Sequence, residues 1–230
     1  MLKPMCNGVE HINSVQVLRT AQLKLSTREF KARGASLKRC SACLLGESKC
    51  ICGSEPIPGE IGVCMLMYHA EYFKPSNTGQ LICDLVTDNF AFRWERTECD
   101  PKLIELLDDP KWFPVIIFPH DNVETSRQLS ELPNLEARKG RRPLFVFLDG
   151  TWRQAKKMFI KSPYLQHLPV LQLNDASRGD YQLREAYHDH HLSTVEVAIA
   201  LFKENEEVEL GERLEALFQR FRSGYQHFKR

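Results

Sequence analysis

Pro143-Leu144-Phe145-Val146-Phe147-Leu148-Asp149-Gly150-Thr151-Trp152-Arg153-Gln154-Ala155-Lys156-Lys157-Met158 contains two elements and the turn between them. The first residues form a short apolar run rich in β-formers, the pattern of a strand buried on both faces of a parallel sheet. The run stops at Asp149-Gly150. Thr151 can then cap a helix that carries Trp152, Ala155, Lys156 and Phe159 at helical spacing. Asp149 therefore falls at the carboxyl end of a strand, where α/β sheets bind their ligands. The same string also allows a plainer reading, in which Asp149 caps the helix and Trp152 fills the core.

A chain of 230 residues suits one domain with an appendage, and 43% hydrophobic with 27% charged residues is enough for a core and a soluble surface. The longest apolar runs, Val63 to Met67 and Leu144 to Leu148, are far short of the roughly 18 residues of a membrane helix. No signal-peptide apolar region or cleavage site opens the sequence, so a cytoplasmic protein without membrane attachment is expected. Net charge is only +1, but the basic residues cluster. Arg138, Lys139, Arg141 and Arg142 precede the central strand. Arg28, Lys31, Arg33, Lys38 and Arg39 precede the first cysteines, and Arg220, Arg222, Lys229 and Arg230 end the chain. Segregated patches of this kind can bind phosphates under a near-neutral total, although any single patch can equally be a solvated face.

Cys40-Ser41-Ala42-Cys43 and Cys50-Ile51-Cys52 place four thiols within thirteen residues. Two close-paired knuckles can surround a tetrahedral metal with four thiolates and leave no position for water, which reads as a structural zinc. Lys38, Arg39 and Lys49 are the nearby cations expected to offset its negative charge. Cys64 and Cys83 fall in apolar segments and read as core.

The rest of the chain alternates strands and helices, which indicates a mostly parallel α/β sheet with flanking helices. Residues 1–27 read as an extension with one poorly patterned helix, 28–59 as the zinc element ending in a Pro56 to Gly59 linker, and 60–230 as the catalytic α/β domain. Ile61 to Tyr68, Phe90 to Glu95, Val115 to Phe118 and Pro169 to Leu173 are further strands. Ser76 or Asn77 starts a helix, Lys102 to Leu107 and Ser126 to Leu132 form short helices, and Leu210 to Tyr225 is striped as a last one. Pro119 stops its strand at a ligand-facing edge. Residues 174–184 form a turn-rich loop at a strand's carboxyl end. Ser193 and Glu196 form an S-x-x-E capping box at a helix start that could also receive a carboxylate. No G-x-G-x-x-G follows a strand, so a dinucleotide-binding Rossmann reading has no support.

Asp149, Thr151 and Trp152, continued by Gln154, Ala155, Lys157 and Met158, resemble the motif of the DTW-domain family. His69, Glu71 and Asn77-Thr78, Ser177…Tyr181-x-x-Arg184, Ser193 with Glu196, and the CxxC…CxC element fit the same resemblance, which spans about Cys40 to Phe202. Val197 departs from it, standing where the family has Ala. The resemblance implies a SPOUT-like fold with a knotted C-terminal part. It also implies transfer of the 3-amino-3-carboxypropyl group of S-adenosylmethionine to N3 of a tRNA uridine, releasing 5′-methylthioadenosine. On that reading Asp149 is the base and Trp152 walls or stacks in the site. Pro119, Leu148, Thr151, Ser177, Arg184, Leu192, Ser193, Thr194 and Glu196 surround the donor. Arg39, His69, Glu71, Asn77, Arg138, Lys139, Arg141, Arg142, Arg153 and Lys157 face the RNA. Two other classes stay open at this point: a SPOUT-type methyltransferase using the same donor, and a non-catalytic zinc-ribbon RNA-binding module.

Overall fold

Leu144 to Leu148 is buried without interruption because it lies in the middle of a parallel sheet covered on both faces. The computed structural model describes residues 12–25, 38–121, 123–173 and 192–226. Among these are six strands: β1 (Ile57–Met67), β2 (Val86–Arg93), β3 (Trp112–Ile117), β4 (Gln128–Leu129), β5 (Arg142–Asp149) and β6 (Val170–Leu171). They form one sheet in the order β2-β1-β5-β3-β6-β4, and every pairing is parallel. β5 is thus inserted between β1 and β3, with Met67 opposite Asp149 and Ile117 opposite Phe147. All strands point the same way, so the ends of β1, β5, β3 and β6 converge on one edge.

Side chains alternate between the two faces. Val63, Met65, Phe145 and Phe147 belong to a core completed by α1 (Ser14–Leu25), α2 (Gly79–Leu85), α5 (Thr194–Glu204) and α6 (Val208–Gln226), together with Leu45 and Ile51 of the cysteine element. Cys64, Leu66, Leu144, Val146 and Leu148 face the other way, onto α3 (Pro101–Asp108) and α4 (Trp152–Lys161). Both expected helix starts carry capping boxes, Thr151 with Gln154 and Ser193 with Glu196. The last helix buries Leu210, Leu214, Leu217 and Phe221 along the expected stripe.

Some boundaries differ from the sequence expectation. β1 begins at Ile57, so Pro58 and Gly59 lie in a strand rather than a linker. Its pairing with β2 jumps from Ile57 to Gly62, so Pro58 sits where no regular ladder bond is lost. Ser126 to Leu132 is not a helix but a 3₁₀ turn, Thr125–Arg127, followed by β4. Arg127 donates to the carbonyls of Leu165 at 2.9 Å and Leu168 at 2.8 Å, and β4 pairs with β6; these long-range bonds outweigh a helix too short to nucleate by itself. Residues 174–191, within the C-terminal part for which the resemblance implies a knot, lie outside the described residues.

Trp112 fills the end of the sheet away from the converging strand termini. It is 2% exposed, and a Cβ on Gly62 would come 2.7 Å from its ring, so only glycine allows β1 to approach. Lys111 and Arg142 lie over the ring at 4.4 and 4.9 Å. Trp112→Ala is expected to lower unfolding free energy by about 3–5 kcal/mol, the usual range for deleting a buried Trp, read by denaturant titration.

Candidate functional site

The carboxyl ends of the central strands enclose a cleft of about 280 Å³. Ile117, Phe118, Pro119 and Asp121 come from the end of β3, and Phe147, Leu148, Gly150, Trp152 and Ala155 from β5 and α4. Gln172 and Leu173 follow β6, while Leu192, Thr194 and Val197 bring the first turn of α5. The walls are mainly apolar with a few polar groups, the usual character of a small-molecule site. Trp152 is 40% exposed and stacks on Phe118 with centroids 5.3 Å apart and planes 8° from parallel. Phe118 in turn stacks on Phe159 at 4.6 Å.

Asp149, at the end of β5, is joined to the cleft through Thr194. It is 3% exposed and is not among the described residues lining the cleft. Its Oδ2 accepts from Asn77 Nδ2 at 2.6 Å, and its Oδ1 from Thr194 Oγ1 at 2.7 Å. The Asn77 amide is oriented by its own Oδ1, which accepts from Gln80 N at 3.1 Å. The Gln80 side chain then donates to the carbonyl of Cys43 at 3.1 Å. A buried chain of hydrogen bonds therefore runs from the cysteine element through Gln80, Asn77 and Asp149 to Thr194 on the cleft. Gly79 permits this closure, since a Cβ there would lie 3.2 Å from the Asp149 carboxyl and 2.7 Å from Met65 Cε.

Burial raises the Asp149 pKa, and the hydrogen bonds from Thr194 and Asn77, with the charge of Lys74, pull it back in part. Asn77 and Thr194 bond to the carboxylate, and Gly79 lets the chain pass close to it. Glu71 is also buried; desolvation raises its pKa, its ion pair with Lys74 opposes this, and Asp149 adds to it. Between His69 and Glu71, Ala70 takes a left-handed conformation with φ 68°, unusual outside glycine.

The cleft brings together Pro119, Leu148, Leu192 and Thr194 of the expected donor-binding residues, with Trp152. Thr151 stands beside it as the helix cap. Ser193 and Glu196 bond to each other, Ser193 N donating to Glu196 Oε2 at 2.7 Å. Ser177, Tyr181 and Arg184 lie outside the described residues. Phe118, Gln172 and Gln80 were not singled out in the sequence. Gln80 had one available signal, a polar residue amid the apolar positions of Gly79–Leu85.

The expected RNA-facing residues divide into groups. Glu71 and Asn77 are buried against Asp149, while His69 is exposed. Arg39 donates to Leu44 O at 2.9 Å. Arg138, Lys139, Arg141 and Arg142 sit at the start of β5, the opposite end from Asp149, about 23 Å away along the strand. There Arg138 donates to Pro133 O at 2.7 Å, Arg141 lies over Phe113 at 4.9 Å, and Arg142 pairs with Asp88 at 2.8 Å. Arg153 and Lys157 instead lie on the exposed side of α4 with Lys156 and Lys161, on a helix that carries no acidic residue and starts at the cleft. Lys157 Nζ is 5.6 Å from both the Tyr68 and Trp94 rings, which stack on each other.

The Sγ atoms of Cys40, Cys43, Cys50 and Cys52 lie within 4.8 Å of one another, and none of these cysteines is in a disulfide. Cys40 and Cys52 are 3.7 Å apart and Cys43 and Cys50 3.9 Å. A tetrahedral zinc with bonds of about 2.3 Å requires about 3.8 Å. Hydrogen bonds from Cys43 and Cys52 push the Cys40 thiol pKa down, and that to Cys40 pushes the Cys43 thiol up to about 12. A group this tight cannot ionise fully without a cation. The donor set fits a structural zinc. Elemental analysis of the purified protein is expected to find about one zinc per chain, and Cys40→Ser to lower both metal content and melting temperature. Metal-free protein of unchanged stability would refute the assignment.

The buried carboxylate joined to an apolar cleft and the four-thiol cluster can be set beside known proteins. No solved structure matched the chain. The family model described as the DTW domain matches residues 37–226, from just before the first knuckle to the end of α6. The chain belongs to the DTW domain family, which is associated with tRNA modification.

Proposed function

We propose that the protein transfers the 3-amino-3-carboxypropyl group of S-adenosylmethionine to N3 of a tRNA uridine. The observation that carries this reading is the pairing of Thr194 Oγ1, on the cleft wall, with the buried Asp149 carboxylate at 2.7 Å. The family match supports an RNA substrate. The donor supplies an electrophilic carbon on a sulfonium and leaves as a neutral thioether, so the protein's task is to remove the N3 proton and align the partners. Asp149 is the acceptor of that proton, reached through the Thr194 hydroxyl. Its raised pKa suits it to the role. Asn77 holds the carboxylate in place, and Gln80 holds Asn77. The Trp152–Phe118 stack offers a flat apolar wall for an aromatic ring. The first turn of α5 directs its dipole at the cleft and favours a carboxylate there.

The RNA approaches across α4. Arg153, Lys156, Lys157 and Lys161 follow one exposed side of a helix that begins at the cleft, and can track phosphates as bases reach the pocket. A single-stranded or looped uridine is the target, because a paired N3 is occupied. The zinc of the cysteine element takes no part in the chemistry.

Two outcomes test the reading. Incubation with tRNA and S-adenosylmethionine is expected to yield 5′-methylthioadenosine and a new aminocarboxypropyl-uridine on nucleoside analysis. S-adenosylhomocysteine as the sole by-product would make the protein a methyltransferase. Asp149→Asn is expected to reduce turnover by ~10²-fold or more with donor binding retained. The base must be ionised, so kcat/KM should fall as pH is lowered through the Asp149 pKa, above the ordinary aspartate range. Asn77→Ala removes a donor to the charged form, raises that pKa further, and should move the acid limb to higher pH.

A further inference from the structure

Arg19 is 5% exposed, on a helix that the family match does not cover. Its Nη2 donates to the carbonyl of Ala42, inside the first cysteine knuckle, at 2.9 Å. Its Nη1 is buried and has no hydrogen-bond partner among the described residues. The charges that act on the guanidinium are, strongest first, those of Asp84, Cys43, Cys40 and Cys52. Asp84 Oδ1 also accepts from Asn13. A buried charged donor without an acceptor is unfavourable, and native interiors rarely leave one.

Four thiolates around a divalent metal carry a net charge of −2 and accept N–H donors at sulfur. Of the cations expected from the sequence, Lys38 and Lys49 are exposed and Arg39 is half-buried and donates to Leu44 O; Arg19 is buried. We propose that Arg19 is the outer-sphere partner of the metal held by Cys40, Cys43, Cys50 and Cys52. Its guanidinium faces the thiolates, and through it α1 becomes part of the metal site. The inference rests on the metal assignment and is independent of the reaction.

The test uses the full-length protein loaded with zinc alone and competed against a chromophoric chelator. Arg19→Met keeps the length and packing of the side chain but removes its charge. It is expected to weaken zinc binding by about 10–100-fold, the usual effect of losing an outer-shell partner, with Arg19→Lys recovering part of the loss. The metal-free proteins give a second readout. Without metal, Arg19→Met should lose clearly less stability than it loses in the zinc-loaded state, because the thiolate charge that Arg19 answers is then absent. If Arg19 only packs α1 against the core, metal-free and loaded Arg19→Met will lose stability equally, and that result overturns the proposal. Unchanged zinc affinity in Arg19→Met, or no zinc binding by the wild type, overturns it as well.

Discussion

The carboxylate of Asp149 joins three parts of the chain that sequence order keeps apart. It ends β5, accepts from Asn77 ahead of α2, and accepts from Thr194 at the start of α5. A buried carboxylate without such donors would be strongly unfavourable. Each donor is therefore required by the acceptor, and the acceptor's position is set by the donors. Gln80 extends the connection to the Cys43 carbonyl, so the cysteine element bears on the cleft through hydrogen bonds as well as packing. Loosening any link is expected to reach Asp149.

The sheet separates two tasks by its ends. At the starts of the strands, Lys111 and Arg142 lie over the Trp112 ring, and Arg142 pairs with Asp88; charge and aromatic area there go into stability. At the opposite edge the strands end in Gly150, Pro119 and the loops that shape the cleft. The exposed cations of α4 begin at that second edge. Where a basic residue sits along the strands thus says more than how many are clustered.

Much of this was legible in local sequence. The Leu144 to Leu148 run, the Asp149-Gly150 break, the Thr151 cap, the Ser193–Glu196 capping box and the cysteine spacing each follow from a pattern within a few residues, and each is found in the structure. What was not legible depends on contacts between distant segments. Asn77 and Thr194 are 72 and 45 residues from Asp149, and no periodicity announces that they meet. The Phe118–Trp152 stack and the Arg127 bonds that displace the expected helix are of the same kind. Arg142 was misleading because a run of basic residues has the same appearance whether it faces solvent or pairs with Asp88. Arg19 gave no signal because the pattern of its helix is poor and its burial depends on where α1 docks.

Asp149 is a buried carboxylate whose pKa is raised by burial and pulled back in part by its two donors. Site-resolved ¹³C titration of the Asp149 carboxyl measures this directly, in the wild type and in Asn77→Ala. The expected result is a midpoint above the ordinary aspartate value of 3.8, moving higher when the Asn77 donor is removed. A midpoint at or below 3.8, or one that ignores the loss of Asn77, would contradict the account.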